Sequence, residues 1–139
     1  MPELLQIEEP RPPQLAPPTW QAFLELGFRP LYLLACAWGI VGVALWVFAP
    51  QWIVGQMPGV FWHAHEMLWG FVVTVALGFL LTGATNWTGV NPLHGPALGV
   101  VCVLWLLARI GFLLPGSVAC GLAAACELLF QLTATVAVA

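Results

Sequence analysis

Residues 61–85, FWHAHEMLWGFVVTVALGFLLTGAT, decide what kind of molecule this is. Beyond Glu66 the stretch carries no charge, and about 20 apolar residues are enough to take an α-helix across the hydrocarbon core of a bilayer. Gly70, Thr74, Gly78 and Thr82 place a small residue at every fourth position of that helix. Such a ridge allows close approach of a second helix, which matters where lipid supplies no hydrophobic drive between helices. Glu66 stands one step before Gly70 on the ridge, so it is expected to face protein rather than lipid.

Reading outward, the same signal recurs. Leu31–Ala49 is uncharged and ends at Pro50, Ala97–Leu114 is apolar apart from Arg109, and Ser117–Ala139 is apolar apart from Glu127. Of the 139 residues 61% are hydrophobic and only 6% charged, against about 25% charged in a typical soluble domain. The fold class implied is an all-α polytopic transmembrane bundle of about four spans, at 31–49, 61–85, 97–114 and 117–139, in a domain covering 31–139. Trp20, Phe23, Leu24 and Phe28 fall at helical spacing among the polar Gln21, Glu25 and Arg29, so residues 19–30 read as an interfacial helix. Residues 1–18 are acidic and proline-rich without the basic start of a signal peptide, and read as a disordered tail. The last stretch, Thr133–Ala139, has neither a charge nor an aromatic anchor. It reads as part of a larger bundle, whose partners are the lipid bilayer and further C-terminal helices or another chain.

Arg11 and Arg29 precede the first span and the loops between spans hold no Lys or Arg, which puts the N-terminus in the cytoplasm and the Gln51–Val60 loop outside. The net charge of −3 offers no basic footprint for nucleic acid. Cys36, Cys102, Cys120 and Cys126 form no CxxC pair and sit in apolar stretches, as small apolar fillers do. The eight Trp residues suit an aromatic belt at the membrane interface.

Ionisable groups inside spans are costly and therefore mark function by default. Here they are His63, His65, Glu66, Arg109 and Glu127. Glu66 and Arg109 lie at similar depth below one face and make the natural ion pair. Glu127 lies deeper, with Arg109 as its only basic partner in these spans. One arginine does not fully satisfy two carboxylates, so one of them is expected to be protonated or to be paired from outside these helices. Imidazole suits iron, copper and zinc, which makes His63 and His65 metal candidates. Two residues apart on a regular helix they point roughly 160° from each other, so they share one ion only if Pro58-Gly59 leaves the helix start unwound. His63 and Glu66 share a face, and His65 is free to serve a separate ligand such as an axial position on haem. Met67 is a further candidate for soft copper. The plainer alternative keeps both histidines at the interface, bonded to water, head groups or backbone carbonyls. His94 reads as a solvated turn residue. No Gly-rich phosphate loop, GxSxG, HExxH or CxxCH is present.

Three motifs carry a resemblance. Leu26-Gly27-Phe28-Arg29-Pro30-Leu31-Tyr32-Leu33-Leu34, Trp62-His63-Ala64-His65-Glu66-Met67-Leu68-Trp69-Gly70-Phe71, and Gly78-Phe79-Leu80-Leu81-Thr82 with Asn86-Trp87-Thr88-Gly89 resemble, in the same order, the N-terminal part of the NnrS family. The resemblance implies a multi-pass protein of the bacterial inner membrane that binds haem and copper and serves the response or resistance to nitric oxide. It favours metal binding at His63 and His65 without assigning either to iron or copper. Family members are longer, so ligands from later helices are expected to complete any such site. Two alternatives stay open: a membrane redox enzyme acting on quinol or nitric oxide, and a non-catalytic transport or scaffold bundle in which Glu66, Arg109 and Glu127 are structural or carry protons.

Overall fold

Proline and glycine set the helix ends. In the computed structural model, which describes residues 19–139, Ala49 leaves helical geometry (φ −142°, ψ 49°) ahead of Pro50 and a single 3₁₀ turn at Pro50–Trp52. Gly89 adopts the left-handed conformation (φ 73°) that closes many helices, and Gly116 (φ 103°) turns the chain between the last two. The elements between these points are α1 (Trp20–Phe23), α2 (Phe28–Phe48), α3 (Gly59–Thr88), α4 (Gly95–Leu113) and α5 (Ser117–Val138). No strand occurs among the described residues. The helices α2 to α5 are each long and apolar enough to cross a membrane, so the chain is an all-α bundle of four such helices.

The start of the chain differs from expectation. The tail assigned to residues 1–18 lies outside the described residues. The interfacial helix expected over 19–30 is a single turn, Trp20–Phe23, with the Thr19 hydroxyl accepting from the Ala22 N–H at 3.1 Å. Phe28 already opens α2. Tertiary bonds break the helical register between them. The Leu24 carbonyl accepts from Gly95 N–H at 2.8 Å, and the Glu25 carbonyl accepts from Asn91 Nδ2 at 2.6 Å. Phe28 N–H donates to Thr82 Oγ1 at 3.1 Å. Spacing alone does not register such partners.

A second departure from regular geometry falls inside α3. Residues Glu66–Val73 form a π-helical stretch, with α-helix before (Gly59–His65) and after (Thr74–Thr88). The Thr74 hydroxyl donates to the carbonyl of Trp69, five residues back, at 3.0 Å. Such stretches are rare and concentrate at functional sites.

The small-residue ridge of α3 faces α2 and α4. At Gly78 a Cβ would stand 3.1 Å from the Tyr32 ring and 3.2 Å from Leu31 Cβ, so the glycine lets α2 lie close. In the α4–α5 hairpin Gly111 plays the same part against Ala119 and Ala123. Two cores result. One gathers Leu31, Leu77, Leu81, Leu98, Trp105 and Phe130; the other gathers Trp62, Ala108, Phe112 and Ala123. Ile40, Val47, Leu122 and Leu132 face outward, where lipid rather than water solvates them.

Candidate functional site

The two cores meet at a closed ring of charged and polar side chains drawn from three spans. Glu66, at the start of the π stretch, is fully buried. Its Oε2 accepts from Arg109 Nη1 at 2.8 Å and from Trp38 Nε1 at 2.6 Å, and its Oε1 lies 3.1 Å from His65 Nδ1. Glu127 on α5 offers Oε2 to Arg109 Nη2 at 2.8 Å and to His65 Nε2 at 3.3 Å, while its Oε1 accepts from Gln131 Nε2 at 3.3 Å. Arg109 and His65 thus each bridge the same two carboxylates. The Arg109 guanidinium is 1% exposed and lies 5.6 Å from the ring centres of both Trp105 and Phe112. Its contact with Glu127 is an ion pair rather than an aligned hydrogen bond, and its Nε has no partner among the described residues.

A glycine makes this ring possible. A Cβ on Gly70 would stand 2.7 Å from Arg109 Nη1, 3.0 Å from Trp38 Cδ1 and 3.1 Å from Glu66 Oε2. One turn further, Thr74 is fully buried, and its hydroxyl accepts from Trp105 Nε1 at 2.8 Å. Thr82 takes the Phe28 N–H and donates to the Gly78 carbonyl at 3.0 Å.

Two sequence readings need correcting here. Glu127 has a second basic neighbour, His65, beside Arg109. Close packing of Gly111 on Ala123 brings α5 near enough for a carboxylate one turn below Ala123 to be reached by both long side chains. The imidazole that meets Glu66 is that of His65, the adjacent residue, rather than that of His63 on the shared helical face. His63 turns to α2, its ring stacked on Trp46 with centres 5.2 Å apart and planes 14° apart. Its Nδ1 is buried and has no hydrogen-bond partner among the described residues. His94 sits at the exposed Asn91–Gly95 turn, its Nδ1 3.2 Å from the Asn91 carbonyl. The four cysteines are free.

Trp38, Trp105 and Gln131 flank the ring and were not singled out by sequence. Trp105 and Gln131 lie four residues from Arg109 and Glu127, a spacing that could have found them. Trp38 and Trp105 are placed inside the bundle, with ring centres 6.3 Å apart, rather than at the membrane interface. Their indole N–H groups serve the buried acceptors Glu66 and Thr74.

The family model described as NnrS protein matches residues 22–139. The chain belongs to the NnrS family. The NnrS match takes in every member of the ring as well as His63 and Trp46. No curated protein and no solved structure matches the chain. Among the described residues of this NnrS-type membrane protein, no group of three or more His, Cys, Asp or Glu side chains is arranged to hold a metal ion.

Proposed function

We propose that this NnrS-family protein binds haem or copper in a bacterial inner membrane, with its N-terminus in the cytoplasm, and takes part in the response or resistance to nitric oxide. Family membership supports the reading, and one observation carries it to a residue. The Nδ1 of His63 is buried and unpartnered. Leaving such a group unsatisfied costs about 1–3 kcal/mol, which a bound metal ion would offset. The stack on Trp46 fixes the ring plane, as a ligand requires.

His65 stands differently, since both of its nitrogens face carboxylates. It would ligate through Nε2 only by releasing Glu127, keeping Nδ1 on Glu66 as an orienting contact of the kind that metal-bound histidines use. His63, and His65 after that exchange, are the residues that would hold the metal. Further ligands would come from outside residues 19–139. Haem iron or copper would supply a centre with affinity for nitric oxide.

The test is an optical spectrum and metal analysis of the full-length protein purified in detergent. A Soret band or stoichiometric copper that is lost or shifted in His63→Ala supports the reading. Absence of both from the unsubstituted protein removes it. A second reading, a non-catalytic transport or scaffold bundle, is favoured by Arg109 tying three spans together. Recovery of folding and function in the Glu66→Arg, Arg109→Glu double variant would support it.

A further inference from the structure

A cavity of about 340 Å³ opens between α3, α4 and α5, on the side of the charged ring away from α2. His65 lines it and His63 does not, so a ligand here is independent of metal binding at His63 but would compete with a metal held by His65. Trp69, Phe112 and Leu128 form its apolar walls; His65, Glu127 and Gln131 form one polar edge. The volume and the mixture of apolar walls with a few convergent polar groups are those of a small-molecule site, for which about 300 Å³ is the lower end. The larger groove beside α2, lined by residues such as Ile40, Val43 and Phe71, offers only the sulfur atoms of Cys36 and Met67 beside its apolar walls and no strong hydrogen-bonding group.

The chemistry of the edge narrows the occupant. Glu127 is the one carboxylate on this edge, with the buried Glu66 behind it, and their charge disfavours an anion. A cation has no vacancy to fill, because Arg109 already lies 2.8 Å from each of them. A wholly apolar molecule would leave the polar edge facing hydrocarbon, which is costly at this depth. A neutral molecule with a hydroxyl answers all three conditions. The His65 Nε2 and Gln131 Nε2 contacts with Glu127 are both 3.3 Å, long for hydrogen bonds, so an inserted hydroxyl can donate to the carboxylate and accept from the amide. The aromatic walls, with the His65 ring 4.7 Å from that of Phe112, suit a flat ring. Leu128 is 60% exposed and Trp69 37%, so the mouth faces sideways into the bilayer.

We infer that this cavity binds the head group of a lipid-soluble hydroquinone through one ring hydroxyl. The test is titration of the full chain in detergent with decylubiquinol, read by tryptophan emission. The dimethyl ether of decylubiquinol, with the same ring and tail but no hydroxyl, is the control. Saturable binding of the quinol, at least ten-fold tighter than the ether, is expected. Gln131→Leu should weaken it about ten-fold, the effect of one hydrogen bond to a polar edge of this kind. Leu128→Trp, a substitution at an exposed position that fills the mouth, should abolish it. Equal affinity for the ether, or unchanged affinity in Leu128→Trp, overturns the inference, since both mean that the quinol merely partitions into apolar surroundings. Absence of both a Soret band and copper would sink the metal reading and leave this one standing.

Discussion

Replacing Gly70 by Ala tests the charged ring at the point where it has least room. The added Cβ would meet Arg109 Nη1 at 2.7 Å, Trp38 Cδ1 at 3.0 Å and Glu66 Oε2 at 3.1 Å, against the 3.4–4 Å of ordinary contact. None of the three neighbours is free to retreat. Trp38 and Arg109 are both hydrogen-bonded to Glu66 Oε2, and Arg109 is held between Trp105 and Phe112. Intrinsic helix propensity works the other way, favouring Ala over Gly in a helix interior by about 0.5–1 kcal/mol. Overpacking a filled interior costs about 1–3 kcal/mol. Breaking a buried ion pair costs about 3–5 kcal/mol, of which a displaced but still nearby guanidinium would lose a part. The steric and ionic penalties win, for a net destabilisation of about 2–4 kcal/mol. Gly121→Ala is the matched control, because a Cβ there meets nothing within 4 Å. It should be neutral or stabilising by up to about 1 kcal/mol. Reversible unfolding of both variants in mixed micelles measures the difference. If Gly70→Ala proved as stable as Gly121→Ala, the placement of Arg109 and Glu66 against Gly70 would be wrong.

Removing the guanidinium altogether should cost more. Arg109→Met keeps an unbranched apolar side chain but leaves Glu66 and Glu127 facing each other without it, and is expected to destabilise by about 3–5 kcal/mol in the same unfolding assay; adding Glu66→Gln and Glu127→Gln should recover a large part. Thr74→Val leaves the buried Trp105 Nε1 without its acceptor, at about 1–3 kcal/mol. Trp105→Phe in that background should then cost less than it does alone, with a coupling of at least about 0.5 kcal/mol. Additive effects would mean that the two side chains do not meet.

The composition and the uncharged runs settle the fold class without any tertiary information. A chain with three basic and six acidic residues in 139 has too few charges to coat a surface facing water, and of the two structures that satisfy their backbone in lipid, helices and closed barrels, long uninterrupted apolar runs suit only the helix. The positions of Glu66, Arg109 and Glu127 within apolar runs likewise flag them from sequence, because burying an ionisable group is too expensive to occur without a partner. The family was also legible, through three motifs in order. Three things lay beyond the sequence. The turn at Leu24–Gly27 depends on carbonyls being taken by Gly95 and Asn91, residues distant along the chain. The roles of the two histidines depend on which neighbouring helix each ring meets: His63 finds Trp46, and His65 finds Glu127. Finally, the π stretch at Glu66–Val73 departs from the 3.6-residue period on which spacing arguments rest. Periodicity reports which residues share a face of one helix. What that face meets is fixed by how closely the glycines of α3 and α4 let the neighbouring helices approach, and that is a property of the packed bundle alone.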